Sequence, residues 1–155
     1  MCGIAGIMSK GKSLETGKAL IDMLDGCQHR GPDSTGFALY DSRNDGNLRL
    51  RFFTGDGEDA SAAIAQIRGV LADFNARIVE DEIIENNYRV TVEFEGDVQE
   101  FSYAVEHAAK VVSIGSSLEI IKDIGGAHDV DQRYHVNTFT GSHGLGHVRL
   151  ATESD

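Results

Sequence analysis

Met1-Cys2-Gly3-Ile4-Ala5-Gly6-Ile7 opens the chain, and its reading decides the fold. With Met1 removed, Cys2 carries a thiol and a free α-amino group on one carbon framework. The thiolate, not the thiol, is the strong nucleophile. An amine with a pKa near ~8 can take the thiol proton, directly or through one water. One residue then supplies nucleophile and base, as in the N-terminal threonine variant of the catalytic triad. The two glycines suit a short strand that something else approaches closely. Taken alone, the stretch also fits an ordinary small residue after a start methionine. The rest of the chain decides between the two.

Working outward, residues 3–8 read as a strand and Ser9-Lys10-Gly11-Lys12 as a polar turn. Leu20, Met23, Leu24 and Cys27 fall at helical spacing, which predicts a helix over 13–27 with Ser13 as its N-cap. On that reading Cys27 is core packing. Gln28-His29-Arg30-Gly31-Pro32-Asp33-Ser34-Thr35-Gly36 is a turn by composition. It is also charged, although turn geometry needs neither Arg30 nor Asp33. The apolar strand Phe37-Ala38-Leu39-Tyr40 follows. At the far end, His143, Leu145, His147 and Arg149 would line one face of a strand. That histidine pair lacks a third ligand at metal-site spacing, so no metal is expected.

Between these stretches the pattern changes. A strand over 48–54, a helix over 60–74, strands over 77–85 and 88–95, a helix over 98–108 and a strand over 111–114 follow in turn. A turn is expected at Asn86-Asn87. Strand, helix, strand, strand, helix, strand is the split β-α-β pattern of a ferredoxin-like unit. A helix over 118–124, stopped by Gly125-Gly126, and a short helix or loop over 129–134 complete the reading. The expected fold class is α+β, with residues 1–47 and 126–155 forming one domain around an inserted α+β subdomain, 48–125.

The totals exclude several classes. A chain of 155 residues, 41% hydrophobic, suits one globular domain or one with an insertion. No run reaches the ~20 apolar residues of a membrane helix, and no secretory signal pattern opens the chain. A formal charge of −11 argues against nucleic acid and anionic membrane surfaces. Two cysteines make no disulfide framework, so a reducing cytoplasm is the expected location.

Three stretches stand together in order: Met1-Cys2-Gly3-Ile4-Ala5-Gly6, His29-Arg30-Gly31-Pro32-Asp33-Ser34-Thr35-Gly36 and Gly146-His147-Val148-Arg149-Leu150-Ala151-Thr152. They resemble the class II glutamine amidotransferases, a branch of the N-terminal nucleophile hydrolases. Val112 to Lys122 and the ending Ala151-Thr152-Glu153-Ser154 are most similar to the glutamate-synthase-like amidotransferase subunits associated with N-methylglutamate synthesis. The resemblance implies a partial αββα sandwich and a glutaminase reaction. Cys2 would attack the side-chain amide of glutamine, form a thioester and release ammonia, then glutamate. Arg149 would hold the glutamine α-carboxylate in its planar fork of donors. Thr152 would line the same pocket. Arg30, Gly31 and Asp33 would brace the nucleophile loop, and His147 would support the pocket from beside it.

The resemblance also implies partners. Ammonia must not leak into water, so such a chain docks onto the synthase subunit that accepts it. That subunit would carry FMN and iron–sulfur clusters. This chain, with two cysteines, holds no such cluster and no cofactor of its own. The family's later oxyanion-binding Asn-Gly pair and amino-group aspartate have no counterpart before Asp155. The expectation is therefore a truncated amidotransferase, weak or inactive as an isolated chain, since one lost oxyanion donor costs ~10²–10³ in rate. The alternatives are a class II amidotransferase of another pathway, another N-terminal nucleophile hydrolase, or a non-catalytic glutamine-binding or subunit-docking fragment.

Overall fold

The computed structural model describes residues 2–13, 15–41, 43, 45–55 and 57–151. In chain order its elements are β1 (Gly3–Ser13), α1 (Thr16–Asp25), a 3-10 turn (Gln28–Arg30), β2 (Ser34–Tyr40), β3 (Leu48–Phe53), α2 (Gly57–Asp73), β4 (Arg77–Ile84), β5 (Asn87–Glu93), α3 (Val98–Ala108), β6 (Lys110–Gly115), β7 (Leu118–Ile124), α4 (Ala127–Tyr134), a second 3-10 turn (Val136–Thr138) and β8 (Gly141–Arg149). The strands make two four-stranded antiparallel sheets, so the fold is α+β. The chain divides into two compact units, Met1–Arg43 with Leu118–Asp155, and Asn44–Ser117. Among the described residues no helix is long and apolar enough to cross a membrane.

In the first unit the strand order is β1-β8-β2-β7. One face of this sheet carries α1. The reason lies in β8, whose inward positions are Gly144, Gly146 and the buried Val148. A Cβ at Gly144 would meet Leu20 Cδ1 at 2.8 Å, and one at Gly146 would meet Leu24 Cδ1 at 2.7 Å. Small residues on the strand thus let the helix sit directly on it. Leu20 and Leu24 are fully buried, worth about 1.5–3 kcal/mol each. The opposite face is bare. Ile4, Met8, Leu145 and Ile124 are 75%, 82%, 52% and 75% exposed.

Several elements differ from the sequence reading. Leu118–Ile124 is a strand, not a helix, and it pairs with β2 from Tyr40↔Leu118 to Ser34↔Ile124. Apolar residues at 118, 121 and 124 imitate helical spacing. In the strand, Ile121 faces the core while Leu118 and Ile124 share the other face. That pairing assigns 118–124 to the first unit, and the second ends at Ser117 rather than 125. Gly125 has φ +101 and ends the strand, and Gly126 is the N-cap of α4. Ser13 belongs to β1, and α1 starts at Thr16, whose buried hydroxyl donates to the Gly141 carbonyl at 2.7 Å. β2 begins at Ser34, inside the expected turn. The β4–β5 turn falls at Glu85-Asn86, one residue early, with Glu85 at φ +52.

The second unit follows the strand, helix, strand, strand, helix, strand order read from the sequence, and its sheet order is β4-β5-β3-β6. Leu50, Phe52, Tyr88, Val90 and Val92 bury one face beneath Ile67 and Leu71 of α2 and Phe101 and Val105 of α3. Asp97 caps α3, its carboxylate accepting from the Gln99 and Glu100 amides at 2.8 and 3.1 Å. Arg49 joins the two ends of the unit. It donates to Asp45 Oδ2 and to the Ser116 carbonyl, each at 2.5 Å. Asp45 lies below its usual carboxylate range, through the Asn47 amide first and Arg49 second.

Tyr88 sets up a testable pH effect. Its ring is fully buried, yet its hydroxyl reaches Asp81 Oδ2 at 2.6 Å, beside Arg68 at 2.5 Å from the same oxygen. The Tyr88 hydroxyl first, and Arg68 second, hold Asp81 below its usual range. Such a carboxylate adds stability above its unfolded pKa of ~3.9 and loses it as pH falls through the lower folded value. Tyr88→Phe removes the first cause. Urea unfolding should show a loss of about 1–2 kcal/mol at neutral pH that shrinks below about pH 4. An equal loss at every pH would mean that the hydroxyl does not stabilise the ionised carboxylate.

Candidate active site

The β1–β8 ladder builds the site. Gly3 pairs with Val148 and Ile4 with His147. Gly3 with Val148 is the last pair at this end of the ladder, so Cys2 precedes it on one strand and Arg149 follows it on the other. Cys2 is exposed and stands just outside the ladder. On the other side of β8, Arg149 pairs with Ser34. Cys2, Arg149 and Ser34 therefore mark one end of the first sheet. Strand alternation puts Arg149, His147, Leu145 and His143 on its bare face, as their exposure beside the buried Gly144, Gly146 and Val148 also requires.

The turn between α1 and β2 fixes this end. Gly31 is buried against β8: a Cβ there would lie 2.5 Å from the Arg149 nitrogen and 2.6 Å from the Val148 oxygen. Only glycine permits that approach. Asp33 binds β8 on leaving it. Its amide donates to the Arg149 carbonyl at 3.1 Å, and its Oδ2 accepts from the Ala151 amide at 2.6 Å. Its own carbonyl accepts from the Gly125 amide at 2.9 Å. One residue thus ties β2, the end of β7 and the exit of β8. The contacts of Gly31 and Asp33 run to the backbone around Arg149, where the sequence reading had them bracing the nucleophile loop. Arg30 is exposed at the end of the 3-10 turn. Thr152 lies outside the described residues.

Two supports escaped the sequence reading. Gln28 Nε2 donates to the Gly31 carbonyl at 2.8 Å, while its Oε1 accepts from the Ala127 amide at 2.9 Å. The buried Thr35 hydroxyl donates to the Gly125 carbonyl at 2.8 Å. Both residues stand within the charged turn, so the motif was visible. Their bonds reach α4 and the end of β7, which no local pattern reveals.

An open groove of about 410 Å³ runs over the bare face, lined by Ile4, Ser34, Leu145, His147, Arg149 and Lys122 among others. His147 is exposed within it, one row in from Arg149, in register with Ile4, Gly36 and Lys122. The Arg149 guanidinium at its edge can take a carboxylate bidentately, and Cys2 is not among the residues that line the groove. Among the described residues no His, Cys, Asp and Glu cluster could hold a metal ion.

No family model matches the chain. It is 32% identical over 171 residues to the glutamine amidotransferase-like protein GlxB of Rhizobium meliloti, covering 99% of this chain and 51% of that protein. It is also 32% identical over 163 residues to a Methanothermobacter thermautotrophicus protein provisionally named a glutamine amidotransferase, covering 99% of this chain and 53% of that one. The chain spans about half the length of these curated relatives. Similarity along nearly its whole length supports a glutamine amidotransferase family for the chain.

Proposed function

We propose that the chain is the glutamine-hydrolysing part of a class II amidotransferase, with Cys2 as the nucleophile once Met1 is removed. The ladder end that Gly3 and Val148 close, with Cys2 before it on one strand and Arg149 after it on the other, supports this reading. Arg149 holds the glutamine α-carboxylate, and the substrate side chain then extends to the thiol. The Cys2 amine takes the thiol proton and the sulfur attacks the amide carbon. The proton goes on to the departing nitrogen, which leaves as ammonia. Water, deprotonated by the same amine, cleaves the thioester to glutamate. Gly31 and Asp33 position Arg149 by holding its backbone. Thr152 completes the pocket, Arg30 supports the turn, and His147 borders the groove.

The bare apolar face of the first sheet fits the inner surface of an αββα sandwich, which a second sheet covers. The strand order of the second unit fits a ferredoxin-like insertion. Ammonia passes to a glutamate-synthase-like subunit carrying flavin and iron–sulfur centres, in a reducing cytoplasm that keeps Cys2 a thiol.

Arg149→Lys tests the substrate. Lysine keeps the charge but loses the planar fork. In the natural protein, KM for glutamine should rise about 10–100-fold, equivalent to roughly 1.4–2.8 kcal/mol of lost binding. Diazo-oxo-norleucine, a glutamine-like electrophile, should label Cys2 in the unsubstituted protein. An unchanged KM, or a label on another residue, would remove the reading.

A further inference from the structure

The groove on the bare face carries a cation that the glutaminase reading leaves without a task. Its floor is β2, which contributes only Ser34, Gly36 and Ala38, and larger side chains of β8 and β7 wall it on either side. Arg149 stands on the β8 wall and Lys122 on the β7 wall. Gly36 pairs with both His147 and Lys122 and leaves the space between them open. Packing does not call for a glycine there. Beyond its chain neighbours, a Cβ at Gly36 would meet no heavy atom closer than 3.5 Å. Among the described residues no Asp or Glu lines the groove, and neither Lys122 nor Arg149 makes an ion pair. The chain has 25 Asp and Glu against 14 Lys and Arg, so carboxylates are not scarce. In the second unit Arg49, Arg68, Arg77 and Arg89 each have one.

We propose that this groove binds a short dicarboxylate, one carboxylate on Arg149 and the other on Lys122, with its methylenes over Gly36. Arg149 and Lys122 stand two strands and two residues apart, roughly 12 Å at Cα. One small anion does not bridge that span between upright side chains. Allowing about 4 Å from each cationic centre to the carboxylate carbon it holds leaves roughly 4–5 Å between the two carbons, the reach of two or three methylenes. The apolar floor suits those methylenes, and Ser34 offers a hydroxyl to the carboxylate on Arg149. The site lies on the face that a second sheet is proposed to cover. Burial strengthens the demand for an anion at Lys122, because a charge taken out of water is costly unless paired. Glutamate is a dicarboxylate of this length and glutamine is not. On the glutaminase reading, on which this consequence alone rests, the product holds Arg149 with a second anchor that the substrate lacks. Turnover therefore slows as glutamate accumulates.

Titration calorimetry of the natural protein with glutarate and with butyrate reads the second carboxylate directly, without turnover. Glutarate should bind about 10–100-fold tighter than butyrate, the worth of one hydrogen bond to a charged group. Lys122→Met keeps the length of the side chain and drops its charge. It should bring glutarate down to the affinity of butyrate and leave butyrate as it was, whereas Lys122→Arg should keep the preference. No binding of glutarate, equal binding of the two acids by the unsubstituted protein, or a preference that survives in Lys122→Met overturns the proposal. Equal binding would mean that a carboxylate elsewhere in the natural protein already pairs Lys122. A protein that prefers glutarate through Lys122 yet never hydrolyses glutamine would instead count against the amidotransferase reading and leave the site standing.

Discussion

Cys2→Ala should abolish glutamate release from glutamine in the natural protein, by a factor on the order of 10⁴ or more. The substitution removes the only group proposed to bond the amide carbon and leaves the α-amine in place. An amine without the thiol can still activate water, but it forms no thioester and so cannot divide the reaction into two easier steps. The fold should hardly notice. Cys2 is exposed and outside the β1–β8 ladder, so unfolding free energy should change by no more than about 0.5 kcal/mol. Glutamine binding should also survive, because Arg149 is untouched. Calorimetric titration with glutamine, beside an assay for released glutamate, separates these effects. Retained turnover would mean a different nucleophile. Lost binding together with lost turnover would mean that Cys2 shapes the pocket rather than doing chemistry.

Gly17→Ala should destabilise the first unit by about 3 kcal/mol, against what helix propensity says. Gly17 lies in the first turn of α1, and alanine there should gain about 1 kcal/mol as a better helix former. Packing reverses the sign. A Cβ at Gly17 would overlap the Val136 carbonyl oxygen, far inside the sum of their van der Waals radii, and lie 2.8 Å from its carbon. The obstacle is backbone, which cannot rotate out of the way, and the Gly17 amide is itself bonded to the Phe139 carbonyl at 3.1 Å. Either α1 lifts from the second 3-10 turn or that turn moves. Urea unfolding of the variant decides between propensity and packing. A gain in stability would mean that the segment 136–139 does not sit against α1.

These glycines show what a sequence conceals. At Gly17 helix propensity alone registers only a weakened helix, because the neighbour that needs the space is more than a hundred residues away. The alternation of His143, Leu145, His147 and Arg149 was legible, since a strand with one bare face writes its period directly into the chain. The second unit was legible for the same reason, its apolar residues keeping strand and helix periods apart. β7 failed because a short apolar run with residues at 118, 121 and 124 fits both periods. Of the candidate site, Cys2, Arg149, Gly31 and Asp33 stood out as motifs, and the ladder and the turn set them at one end of the sheet. Gln28 and Thr35 did not stand out, because their partners are set by tertiary contact alone.

The clasp made by Arg49 has an evolutionary consequence. Tyr40 and Leu118, which flank the second unit in the chain, are paired neighbours in the first sheet. To that sheet the whole second unit is the tip of a hairpin. Within the unit, Arg49 fastens Asp45 near its start to Ser116 near its end, so its two ends emerge side by side. A module with adjacent ends can enter or leave a hairpin for little more than loop-closure entropy, which grows slowly with length. The splice is at the Tyr40 end of β2 and the candidate site at the Ser34 end, about 20 Å along the strand. A lineage can therefore gain, lose or exchange the module as an independent cassette while selection on the far end of the same strand continues undisturbed.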